Sequence, residues 1–172
     1  LANITDAEIK YYGISPFEIE IIYDVLRKSF GLREEQLMHV DENLASVVEI
    51  YFPVTFDESF FTWFSAESWF KIKEVLKEMT KRRGRRDIKI VFEFCGYSTN
   101  RPRVRFTLKG KKDREFEIAI EKIEYMVDAI NMQINTYSEV IDEVEYSYSE
   151  DNHRWVPNFI TGNHRLENDK RS

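Results

Sequence analysis

A single cysteine, Cys95, excludes an intrachain disulfide framework and any zinc site built from several cysteines. The three histidines, His39, His153 and His164, are scattered. None has the His-x-x-x-His or His-Glu-x-x-His spacing by which one helix face grips a metal. Six glycines are spread singly, so there is no glycine-rich loop to cradle a phosphate. Apolar runs last only a few residues, too short to span a bilayer. Leu1 to Lys10 lacks the basic-then-apolar order of a secretory signal. The expectation from these shortages is a cytoplasmic protein with no cofactor, no metal and no membrane partner.

What the chain has in quantity is aromatic side chains: 13 Phe, 9 Tyr and 3 Trp in 172 residues. Each can remove a large apolar area from water, so a compact core can form with few small residues. An apolar share of 42% against 33% charged is a globular mixture, and the length suits one domain. The expected organisation is a single α+β domain over residues 1–160, followed by a disordered tail, 161–172. N-terminal helices are expected within 5–31, and a sheet with helices within 45–148.

The net charge of -6 hides a segmentation. Residues 1–60 carry 4 basic and 12 acidic side chains, residues 61–112 carry 15 and 5, and residues 113–172 carry 6 and 14. A basic centre thus lies between two acidic flanks.

Thr5 followed by Glu8 has the spacing of a capping box, which predicts a short helix stopped by Gly13. Ser15-Pro16-Phe17-Glu18 repeats the signal, and Ile19, Ile22, Tyr23, Leu26 and Phe30 follow at helical spacing. Residues 32–43 fit either a polar helix or a short strand. Ser46 to Phe52 is β-branched and aromatic, and Pro53 closes it as a strand. Ser65 can cap a helix carrying Trp69, Ile72, Leu76 and Met79 on one face, with Gly84 placed to end it.

Residues 87–120 alternate with period two. Ile88, Ile90, Phe92 and Phe94, then Val104, Phe106 and Leu108, then Phe116, Ile118 and Ile120 fall on one side. Three antiparallel strands forming a meander are expected here. The fold class is therefore an antiparallel sheet packed by helices, made of the meander and the strand near 46–52. A helical stripe from Ile120 through Ile123, Val127, Ile130 and Ile134 follows, then a strand near 144–148. This order resembles a ferredoxin-like βαββαβ plan with an added strand and an N-terminal helical addition. Such a resemblance implies no function.

Three constellations are candidate sites. Arg82, Arg83, Arg85, Arg86, Arg101, Arg103 and Arg105, with Tyr97 in the adjoining loop, could track phosphates and stack on a base, or dock a protein partner. The competing account is a solvated face whose arginines pair with Glu115 and Glu117 on the neighbouring strand. Phe60, Phe61, Trp63 and Phe64 form the second candidate, either core or a hydrophobic interface for a partner. Catalysis is the third. Cys95 at a strand end reads as a small hydrophobe, and the carboxylates of Asp142-Glu143-Glu145 and Glu150-Asp151 lack calcium-loop spacing. No catalytic residue is nominated.

The function expected is that of a non-enzymatic binding protein, accessory or inhibitor-like, acting through a protein partner or a second copy of itself. A nucleic-acid-binding module using residues 81–109 is the alternative, and a small enzyme without a recognisable motif is a third reading.

Overall fold

Ala7 and Ile9 alternate with Glu8 and Lys10, and that period-two pattern forms a strand, β1 (Asp6–Tyr12), in place of the expected short helix. The capping-box spacing at Thr5 is overridden because Ala7 and Ile9 enter the core on one face while the backbone of β1 pairs with a strand on each side. The computed structural model describes residues 6–38, 40–81, 86–96, 101–110, 114–137 and 139–161. Gly13 follows β1 with φ +64, where a Cβ would come within 2.2 Å of the Ala45 carbonyl oxygen. Only glycine meets both demands.

Helix α1 (Pro16–Arg27) opens on a complete capping box: the Glu18 amide donates to Ser15 Oγ at 3.2 Å, and the Ser15 amide donates to the Glu18 carboxylate at 3.0 Å. Removing this cap with Ser15→Ala is expected to cost about 1 kcal/mol in urea-unfolding free energy. Strand β2 (Gly31–Gln36) then pairs parallel with β1, resolving the ambiguity at 32–43. Strand β3 (Leu44–Phe52) pairs antiparallel on the other side of β1.

Two helices, α2 (Glu58–Trp63) and α3 (Ala66–Lys81), carry the chain to β4 (Asp87–Phe94), which is parallel to β3. Strand β5 (Arg103–Gly110) returns antiparallel. The third strand of the expected meander does not exist: residues 114–122 are a helix, α4 (Arg114–Lys122). Phe116 and Ile120 satisfy either period, but Phe116, Ala119, Ile120 and Ile123 are the residues buried, which is the helical stripe. A 3-10 turn (Ile123–Tyr125) and α5 (Met126–Asn135) continue it. Strand β6 (Ile141–Ser149) pairs parallel with β5, and β7 (Arg154–Thr161) closes the sheet antiparallel to β6.

The sheet is therefore mixed and seven-stranded, in the order β2-β1-β3-β4-β5-β6-β7, and not antiparallel. The α+β class stands, but the antiparallel expectation fails because pairing direction depends on long-range crossovers that local alternation does not encode. The order βαββαβ does run from β3 to β6. Its crossovers join adjacent parallel strands, unlike the split arrangement of a ferredoxin-like sheet. Both crossovers step the same way across the sheet, yet β5 runs opposite to β3. Both also place their helices on one face, since Lys73 of α3 reaches Glu121 of α4. The two crossovers consequently have opposite hands, and one departs from the right-handed rule.

The core lies between that face and the helices. Ile88, Ile90, Phe92 and Phe94 of β4, with Val104, Phe106 and Leu108 of β5, meet Trp69, Ile72, Leu76 and Met79 of α3 there. Phe52 is its aromatic centre, with ring centroids 4.9 Å from Phe94, 5.1 Å from Phe60 and 5.7 Å from Phe64. Among the described residues, the buried side-chain polar atoms without a hydrogen-bond partner are the Tyr23 hydroxyl and the Trp69 indole nitrogen. Tyr23→Phe keeps the ring under Arg27, 5.0 Å away, and deletes only the unsatisfied hydroxyl. The change is expected to be neutral or to raise stability by up to about 1 kcal/mol, read as a shift in the urea midpoint.

No helix among the described residues is long and apolar enough to cross a membrane. The expected tail, 161–172, begins on the last residue of β7, and 162–172 lie outside the described residues.

Candidate functional site

Arg103 and Arg105 lie on the face of the sheet that carries no helices, and they and Arg101 are paired. Arg103 bridges Glu93 at 3.4 Å and Glu143 at 3.0 Å, and Arg105 meets Glu93 at 3.1 Å. Arg101, at the end of the sheet, donates to Asp57 at 2.7 Å. Lys89 and Lys109 reach Glu49 and Asp41 at 3.1 and 3.5 Å. Arg101, Arg103 and Arg105 are thus compensated, but by Asp57, Glu93 and Glu143 and not by the expected Glu115 and Glu117. Glu115 and Glu117 are on α4, where Glu115 accepts from the Tyr148 hydroxyl at 3.2 Å and lies 2.9 Å from His153. Arg86 is exposed. Arg82, Arg83, Arg85, Tyr97, His39 and His164 lie outside the described residues.

The charge segmentation thus has a folded counterpart. Basic residues of the centre reach Asp41, Glu49 and Asp57 in one acidic flank, and Glu121, Glu124 and Glu143 in the other. Between these pairs a hollow of about 280 Å³ opens on the sheet face, lined by Glu8, Lys10, Glu49, Tyr51, Val91, Glu93 and Arg105. Burial, with Cys95 and Glu93 beside it, pushes the Tyr51 hydroxyl upward, so it stays protonated at neutral pH. No group of three or more His, Cys, Asp or Glu side chains suited to a metal occurs among the described residues.

The aromatic segment divides. Phe60 and Phe64 are core, Phe61 is half-buried, and Trp63 is 44% exposed with its ring 5.3 Å from Phe30. Of the four nominated residues, only Phe61 and Trp63 therefore reach the surface. Phe61 also lines the feature that sequence reasoning missed, a groove of about 340 Å³ between the start of α2 and α3 on one side and the 3-10 turn and α5 on the other.

Its floor and walls are Phe61, Ala66, Trp69 and Val127, with Tyr125 at the edge. Phe61 and Trp69 meet edge to face, 5.5 Å between centroids and 78° between planes. Tyr125 is 74% exposed. Phe70, 55% exposed, is four residues on from Ala66 and three before Lys73, which puts it on the side of α3 that turns toward α4. Three carboxylates, Glu58, Glu124 and Asp128, also line the groove.

Well-satisfied polar groups hold these walls in place. Asp57 caps α2: its carboxylate accepts from the Phe60 amide at 3.0 Å, from Ser59 at 2.5 Å, from Thr55 at 2.8 Å and from Arg101. Burial raises its pKa, but these donors together outweigh burial and hold the carboxyl below its ordinary range. Ser65, with φ 68, turns the chain and accepts from the Ser68 amide at 3.1 Å, so α3 starts where Trp69 faces the groove. Across the two walls, the buried ammonium of Lys73 on α3 donates to Glu121 at 2.8 Å and to Glu124 at 3.5 Å. Lys77 bridges Glu74 at 2.8 Å and also contacts Glu121.

Glu58 and Asp128 have no cationic partner among the described residues. The arrangement offers an apolar floor, exposed rings and uncompensated negative charge, and no nucleophile beside a base. Compared with family models, curated proteins and solved structures, the chain matches none.

Proposed function

We propose that this chain is a non-enzymatic binding protein that holds a protein partner at the groove between α2–α3 and the 3-10 turn. The observation that carries the reading is an apolar floor of Phe61, Trp69 and Val127 with exposed Tyr125 at its edge, ringed by Glu58 and Asp128; exposed Phe70 lies on the adjoining side of α3. Aromatic side chains in partly enclosed positions supply most of the binding energy at protein interfaces. A cytoplasmic setting goes with this reading.

Nucleic-acid binding is the weaker alternative, because Arg101, Arg103 and Arg105 spend their charge on Asp57, Glu93 and Glu143. An electrophoretic assay at low salt is expected to show no shift; a shift that weakens steeply with added salt would favour the alternative.

The direct test places a photo-crosslinking residue at position 125 and, separately, at position 10 on the open sheet face, in extracts of the source organism. The captured protein is then purified and titrated. A one-to-one complex from position 125, weakened more than tenfold by Tyr125→Ala with Phe70→Ala, supports the reading. No adduct at 125, or a complex indifferent to both substitutions, sinks it.

A further inference from the structure

The groove's lining also specifies what kind of segment it accepts. Glu58 and Asp128 are exposed carboxylates without a cation among the described residues. Among the described residues, Glu124 shares its cation, Lys73, with Glu121, and that ammonium is buried beneath the surface. Negative charge therefore faces outward around a floor made of Phe61, Trp69 and Val127. An occupant must bring apolar surface and positive charge at once.

We infer that the groove docks a lysine- or arginine-bearing amphipathic segment of a partner protein; this rests on the function proposed above. Aliphatic stems of such side chains cover apolar floor while their heads remain at the polar rim. A guanidinium can lie on the exposed face of Tyr125 and still reach Asp128, three residues along the same turn. A volume of about 340 Å³ takes one or two such side chains, not a folded element, so the partner's remaining contacts lie outside the groove, starting at Tyr125 on its edge. The net charge of -6 adds attraction at longer range. Acidic segments and phosphate backbones meet uncompensated carboxylates here and are repelled.

The test uses the whole protein and two synthetic 18-residue helical peptides of leucine with lysine and of leucine with glutamate, titrated by calorimetry. The lysine peptide is expected to bind one-to-one, at least tenfold more tightly than the glutamate peptide, and more weakly as salt rises. Glu58→Lys with Asp128→Lys should lower its affinity at least tenfold. Glu20→Lys with Asp24→Lys, the same charge change on the exposed side of α1, should lower it less than threefold. Equal losses in both double variants would reduce the effect to net charge and overturn the inference. So would absence of binding, or sedimentation showing that the chain self-associates through the groove.

Crosslink mapping separates the two levels. Capture at position 125 of a segment lacking basic residues would remove this inference and leave the proposed function standing. No capture there would remove both.

Discussion

Replacing Phe52 with alanine should cost about 3–5 kcal/mol of unfolding free energy, the range for emptying a buried phenylalanine site. Phe52 ends β3 fully buried, and its ring contacts Phe30, Phe60, Phe64, Phe92 and Phe94. Those neighbours come from β4, from α2 and its C-cap, and from the turn before β2, so no single shift can close the cavity. Aromatic pairs of this kind also add about 0.5–1.5 kcal/mol beyond area burial, and that contribution disappears with the ring. Phe60 lies in α2 and Phe64 caps its C-terminus, so the same change should loosen the seat of Phe61 and the groove. Urea unfolding followed by tryptophan fluorescence measures the loss. Phe52→Leu, which keeps most of the volume, should cost less than half as much. A loss below about 1 kcal/mol for Phe52→Ala would mean that the aromatic cluster does not hold the helices to the sheet.

The second large effect is electrostatic. Glu121→Ala strips Lys73 of its nearer partner and removes one partner of Lys77. Lys73 is only 5% exposed, so its ammonium cannot turn to water. Breaking a buried pair by removing one partner costs about 3–5 kcal/mol; Glu121 itself keeps solvent access, which lowers the expectation to about 2–3 kcal/mol. Replacing both members, with Lys73→Met and Glu121→Leu, should recover most of the loss, because no charge is then left buried alone.

The same cluster sets a pH dependence. Burial pushes the Glu121 carboxyl up, but the hydrogen bonds and charges of Lys73 and Lys77 overcome it and leave its pKa below the ordinary 4.5. A carboxyl whose folded pKa is depressed contributes stability that is fully present above its unfolded pKa. That contribution is lost as pH falls through the folded value. Stability should thus hold from neutral pH down to about pH 5 and decline below roughly pH 4.5. Glu121→Gln should flatten part of that decline. Asp57, depressed by its own donors, accounts for a further part.

Much of the secondary structure was legible because single periodicities ran uncontested. Ile19 to Phe30 marks α1, Trp69 to Met79 marks α3, and the alternations at 88–94 and 104–108 mark β4 and β5. Errors arose where two signals overlapped. At 5–13 a capping spacing competed with alternation, and pairing on both sides of β1 decided for the strand. At 116–120 both periods fit, and the continuation through Ile123 and Val127 decided for the helix. Strand β7 was masked by Pro157 and the polar turn before it; Pro157 is tolerated because β7 is an edge.

Pairing directions were not legible, since they follow from which helices cover which face. The groove was half-legible. Phe61 and Trp69 belong to the conspicuous aromatic run, but Glu58, Tyr125 and Asp128 carry no local signal. They come together only because α3 and the 3-10 turn pack side by side, tied by Lys73 and Glu121.

Binding at the groove is tested most directly by nitrogen–proton NMR during titration with the lysine–leucine peptide. The chain has three indole signals, from Trp63, Trp69 and Trp155. The Trp155 N–H donates to the Ala119 carbonyl at 3.0 Å, whereas that of Trp69, at the groove, has no acceptor. The expected result is movement of the Trp69 indole and of the amides of Phe61, Tyr125 and Val127, with Trp155 and the amides of Lys10, Glu93 and Arg105 unchanged. Shifts centred on Lys10, Glu93 and Arg105, with Trp69 unmoved, would place binding on the open face of the sheet and contradict the account.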